Sequence, residues 1–167
     1  MNNLKLLLKN KLQGAKRIAV LGIGSDLRGD DAAGMLIAEE LEAYRKKIKD
    51  TRCIKVFFGS TAPESFTGAI KRFDPTHLLI IDAAEIKKDP GEAVLLDPQT
   101  IEGISFSTHS LPLKIMADYL LTDIKGCTLM IIGIQPKNLD FGSSLSFEVK
   151  KSVGDISKII KGILRVF

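Results

Sequence analysis

The chain has 167 residues, of which 45% are apolar, and its 24 Lys and Arg outweigh 20 Asp and Glu to give a formal charge of +4. That length suits a single domain, residues 1–167, able to bury roughly two thirds of the surface its unfolded chain would expose. The apolar runs near Ile18, Leu78 and Leu129 are far shorter than the roughly 18 residues of a membrane span, and lysines scattered over Lys46, Lys47, Lys49, Lys87, Lys88, Lys150 and Lys151 lack the aromatic interleaving of a nucleic-acid stripe, so membrane insertion and nucleic-acid binding are not expected.

Residues 1–16 place Leu4 and Leu6, Leu7 and Leu8 between lysines without a long apolar core or a small-residue cleavage site, which predicts an amphipathic lead-in helix rather than a secretory signal. RIAVLGIG at 17–24 is a short β-branched run closed by glycines, the mark of a strand buried on both faces. Residues 30–49 turn helical through Met35, Leu36, Ile37 and Leu41, with Asp30 and Asp31 expected to cap the free N–H groups at the start. A second strand is expected at 53–58. Thr61-Ala62-Pro63-Glu64 then reads as a capping box opening a helix to about Phe73.

The third buried strand is predicted at 77–82, with a short extra strand at 93–96 after the Pro90-Gly91 turn. Residues 111–121 look helical, capped by Ser110 or His109, with Pro112 in the first turn. A fourth strand at 128–134 precedes a closing amphipathic helix at 147–164, whose apolar side carries Val149, Val153, Ile156, Ile159, Ile160 and Ile163. Strands alternating with helices predict an α/β fold: a mostly parallel sheet, helices on both faces and right-handed crossovers. Cys53 and Cys127 each open an apolar segment, show no metal-type spacing and are expected to be buried thiols in a reducing cytoplasm.

Three polar motifs stand where apolar strands end: GSDLRGDD at 24–31, IIDAAE at 80–85 and STHSLP at 107–112. Groups at the carboxyl ends of strands in an open α/β sheet converge on one crevice, so Asp31, Asp82 and His109 can meet there despite their separation in sequence. Taken singly, Asp31 reads as a helix cap and His109 as a loop residue. Asp82 is harder to explain so, because a carboxylate following the run 78–81 is a buried charge that needs a partner. Two close carboxylates share a proton or recruit a cation, and an added imidazole makes a set compatible with nickel, zinc or manganese.

Gly22, Gly24 and Gly29 invite a dinucleotide-site reading, but the third glycine comes too late for G-x-G-x-x-G and the two aspartates would repel a pyrophosphate. Gly29 is instead suited to a positive φ before the helix. Arg28 either neutralises the aspartates or binds a substrate carboxylate or backbone. No G-x-S-x-G elbow, H-E-x-x-H helix or Asp-Thr-Gly triplet occurs, no base adjoins Ser60 or Thr61, and His77 at the amino end of its strand reads as structural.

With those residues in view, the chain resembles the hydrogenase maturation endopeptidases, especially those serving energy-converting or formate-linked [NiFe] hydrogenases. GIGSDLRGDDAAG, FGSTAPES, HLLIIDAAEI, DPGEAVLLDP, STHSLPL and GIQP carry the resemblance, in family order from about Ile18 to Pro136. Ser25 stands in the place of the family's usual asparagine, and Ala32 replaces a glycine often found after GDD.

The resemblance implies a three-layer α/β/α sandwich with a mixed sheet of about five strands. It also implies that Asp31, Asp82 and His109 match the family's three metal-contacting positions and act as its catalytic residues. The implied activity is removal of a short C-terminal extension from the nickel-loaded [NiFe] hydrogenase large-subunit precursor in the cytoplasm. The nickel then belongs to the substrate. Either it polarises the scissile carbonyl or activates water, or the aspartates act as general acid and base as in aspartic proteases. The competing expectations are a non-catalytic chaperone sensing nickel on the same precursor and, less favoured, a small nucleotide-binding protein.

Overall fold

A computed structural model of the chain describes residues 1–48, 53–101, 104–106 and 113–165. Its strands are β1 (Ile18–Ile23), β2 (Ile54–Ser60), β3 (His77–Glu85), β4 (Ala93–Leu96), β5 (Ser105–Phe106) and β6 (Thr128–Ile134). Its helices are α1 (Asn2–Lys11), α2 (Ala33–Arg45), α3 (Thr67–Phe73), α4 (Leu113–Asp123) and α5 (Phe147–Leu164).

The sheet runs in the order β2-β1-β3-β6-β4. The first four of these are mutually parallel, and β4 closes the edge antiparallel to β6. β3 is central and longer than the sequence predicts. Ala84 and Glu85 pair with Phe106 and Ser105 of β5, which carries β3 past Asp82 and adds a sixth strand to the five expected.

The all-apolar β1 and the apolar run 78–81 of β3 follow from burial on both faces. Successive side chains of a strand alternate between faces. Leu79 and Ile81 of β3 accordingly pack with Leu4 and Leu8 of α1, Ile37 and Leu41 of α2, and Val153 and Ile156 of α5. Leu78 and Ile80 pack on the other side with Ile70 of α3 and with Met116 and Leu120 of α4. The result is the α/β/α sandwich, and Asp82, two residues beyond Ile80, continues the parity that faces α3 and α4.

Three local expectations are corrected. Neither Asp30 nor Asp31 caps the helix that follows: residues 29–32 form a 3-10 turn without a side-chain cap, and α2 begins only at Ala33. The capping box at Thr61 does not form either, because Ala62 is the cap of the 3-10 turn 63–66, with Pro63 in its first position, and α3 starts after it. Cys53 is exposed rather than buried. Cys127 is partly buried, and burial pushes its thiol up to about 11, so it stays protonated at neutral pH. His77 sits at the amino end of β3 opposite Ile18 and Thr128, as a structural residue would; burial lowers its pKa from the usual histidine value.

α2 is seated on the sheet by backbone contact. A Cβ added to Gly34 would come 2.2 Å from Ile81 O and 2.3 Å from Ile23 O, and one added to Gly22 would lie 2.5 Å from Gly34 O. Two glycines therefore let the first turn of α2 rest on the carbonyl ends of β1 and β3. Gly34→Ala is expected to lift this turn and to cost about 3 kcal/mol, as overpacking against unyielding backbone does. Urea unfolding measures it, and an unchanged midpoint would show that the contact has slack.

Candidate active site

The site lies at the carboxyl ends of β1 and β3, adjacent strands in which Gly22 is level with Ile81. Beyond β1 the chain turns through Gly24, whose φ of +131° and close approach to the Asp31 carbonyl oxygen, 1.8 Å from a Cβ built there, exclude any side chain. Ser25 N donates to Asp31 Oδ2 at 2.9 Å, which folds the loop back on itself and fixes the Asp31 carboxylate. The bond comes from the backbone of residue 25, so serine in place of asparagine leaves it intact; Ser25 Oγ accepts from Leu27 N at 3.3 Å.

Asp31 and Asp82 are both 0% exposed. The turn bearing Asp31 packs against β3, and the first turn of α2 rests on Ile81, the residue before Asp82. The two carboxylates predicted to converge are thus carried by neighbouring elements at one rim of the sheet.

His109 and the rest of 107–112 lie outside the described residues, as do the Ser110 and Pro112 expected to begin α4. The flanks of that segment are described. Phe106 pairs with Ala84, two residues after Asp82, and Leu113 is buried in the core on the Asp82 side of the sheet.

Asp30 has a different task. Also 0% exposed, it accepts hydrogen bonds at Oδ2 from Lys137 N (2.8 Å), Asn138 N (3.0 Å) and Ser146 Oγ (2.9 Å), and at Oδ1 from Ser146 N (2.6 Å). Asp30 N in turn donates to Asn138 O at 3.0 Å. Gly29, with φ +53°, lets the strands of this clasp approach: a Cβ there would lie 2.7 Å from Asn138 O. Arg28 spends its Nε on Leu139 O at 3.2 Å, and Gly142 N donates to Leu27 O at 2.8 Å. Loops 25–31 and 136–146 therefore form one unit. Of the adjacent aspartates, Asp30 holds the frame and Asp31 is turned to the rim.

Three contributors were not assigned roles from sequence. Ser146 caps α5 by accepting from Val149 N while donating to Asp30; a serine just before the strongest amphipathic run was the available signal. Asn138 folds its own loop, its side chain accepting from Asp140 N and donating to Ser143 Oγ. Gln135, 5% exposed, accepts at Oε1 from Ile86 N and Lys88 N and donates through Nε2 to Glu85 Oε2, so it pins the chain leaving β3. Its signal was a polar residue directly after the apolar run of β6. Ser60, which sequence left without a base, has an unusual φ of +48° for a non-glycine residue and presents its amide to Met35 Sδ at 3.3 Å.

Fold and burial together define an α/β protein with two buried aspartates on neighbouring elements at the carboxyl end of its parallel strands. A family profile described as HycI, hydrogenase maturation protease, matches residues 35–163. The Hydrogenase 3 maturation protease of Escherichia coli K12 is 34% identical over 144 residues, 86% of this chain and 88% of that protein. A Methanocaldococcus jannaschii protein provisionally named as a hydrogenase maturation protease is 39% identical over 98% of this chain and 95% of its own.

Among solved structures, the [NiFe] hydrogenase maturation protease HycI of Thermococcus kodakarensis superposes with a TM-score of 0.84 at 32% identity, covering 95% of this chain and 99% of that one. The chain belongs to the hydrogenase maturation protease family, a family of peptidases.

The clasp yields a graded expectation. Asp30→Ala strands four donors in the interior and is expected to cost at least about 3 kcal/mol in urea unfolding. Asp30→Asn keeps one carbonyl oxygen for the Oδ2 partners and sets an NH2 against Ser146 N, so its loss should fall between wild type and alanine. Equal stability of all three would contradict the role given to Asp30.

Proposed function

We propose that this peptidase removes the C-terminal extension of a nickel-loaded [NiFe] hydrogenase large-subunit precursor, in the cytoplasm, with Asp31, Asp82 and His109 as its working residues. The observation that carries the reading is the pair of fully buried aspartates, Asp82 in β3 and Asp31 on the turn that packs against β3. No helix of the described residues is long and apolar enough to cross a membrane, which accords with a substrate met in solution.

Two carboxylates and an imidazole offer two oxygen donors and one nitrogen donor, a set that suits a borderline cation such as nickel. The nickel is cargo of the precursor, and its contact with Asp31, Asp82 and His109 would register the scissile peptide against the rim. When so held it supplies Lewis acidity to the peptide carbonyl or to water. The chain's own part is preorganisation: Ser25 N–H fixes one oxygen of Asp31, the seating of α2 fixes the spacing of the two strand ends, and burial excludes bulk water from the carboxylates. In the metal-free alternative, one aspartate would deliver a proton to the leaving amine while the other orients water, in the manner of aspartic proteases.

Incubation of the purified chain with nickel-loaded precursor is expected to yield a single C-terminal truncation visible by mass spectrometry, and nickel-free precursor is expected to stay intact. Asp82→Asn and His109→Ala should each reduce the rate at least about 100-fold while retaining wild-type circular dichroism. Cleavage at wild-type rates by both variants would refute the site, and binding of the precursor without cleavage by the wild type would instead favour the chaperone role.

A further inference from the structure

The two most exposed large apolar side chains of the described residues, Phe147 at 80% and Phe141 at 78%, belong to the stretch that Asp30 ties down, and Leu27, 56% exposed, lies on the loop opposite. The bond from Gly142 N to Leu27 O joins the backbones of the two loop tips that carry Leu27 and Phe141. Exposed single hydrophobes are ordinary, but grouped ones on a rigid support mark interaction surfaces. The support here is firm: a buried carboxylate with four donors, a glycine at positive φ and Arg28 on Leu139 O hold the two loops together.

We propose that loops 25–31 and 136–146 form a docking platform for the folded body of the substrate protein, with Leu27 and Phe141 as its apolar contacts. This rests on the function proposed above. The occupant follows from continuity. Leu27 precedes Asp31 by four residues within one hydrogen-bonded turn, so a polypeptide presented to Asp31 lies against this platform first. A short extended tail alone would need only the rim; an apolar pair displaced to one side of it suits a broader protein surface next to the scissile segment. Preorganised loops also avoid the ordering cost that a mobile loop incurs on binding.

The test is calorimetric titration of the nickel-loaded precursor into Asp82→Asn protein, which separates docking from cleavage. Leu27→Ser and Phe141→Ser alter exposed positions and should fold normally. In that background each is expected to weaken binding about fivefold and the pair at least about tenfold, as apolar hot spots do. In otherwise wild-type protein the pair should raise KM rather than lower kcat, and Leu6→Ser, on α1 and 59% exposed, should change neither.

Unchanged Kd for the double variant overturns the platform, as does an equal loss in Leu6→Ser. A wild-type dimer in sedimentation that the double variant dissolves also overturns it, because the surface would then cover a second copy of the chain. Failure of the catalytic assignment reads out separately, as cleavage by Asp82→Asn.

Discussion

Everything at this rim depends on one buried carboxylate that does no chemistry. Asp30, on loop 25–31, receives the backbone of loop 136–146 and the cap of α5 within 3.0 Å and thereby converts two excursions from the sheet into a single body. A carboxylate enters the interior only where donors replace its hydration. Here the replacement comes almost wholly from backbone N–H groups, which cannot swing away as side chains can. Asp31, next in the chain, inherits a fixed position from its neighbour.

The sheet supplies the second half of the geometry. Parallel order places the carboxyl ends of β1 and β3 side by side, and glycines at positions 22 and 34 let α2 descend until its backbone meets both strand ends. The elements that carry Asp31 and Asp82 are thus brought together by main-chain contact as well as by side-chain packing. Gln135 completes the frame from β6 by holding Glu85 and the amides that follow it. Such a frame is what a site needs to hold its groups in one working geometry.

Much of this was legible in the residues. Apolar runs and glycine stops located β1, β3 and β6, and the 3.6-residue period of 147–164 matched α5 from end to end. Asp82 was legible because a charge after a buried strand has few bland explanations. The capping readings of Asp30 and Asp31 failed because a carboxylate at a helix start has other donors to choose from, and only the fold reveals which are nearer. Asp30 found donors more than a hundred residues away in sequence, and no local pattern encodes them. The two-residue β5 was invisible because a strand that short carries no period of its own. Nothing in the linear pattern showed that Asp30 ties loop 136–146 down; its hydrogen-bond partners did.

The most direct test of the account is anomalous diffraction at the nickel edge from crystals of the chain bound to its nickel-loaded precursor. The account predicts one nickel peak in contact with the carboxylates of Asp31 and Asp82 and the imidazole of His109, with Asp30 still bound to Lys137, Asn138 and Ser146. A nickel remote from that rim, or one ligated by Asp30 in place of Asp31, would contradict it.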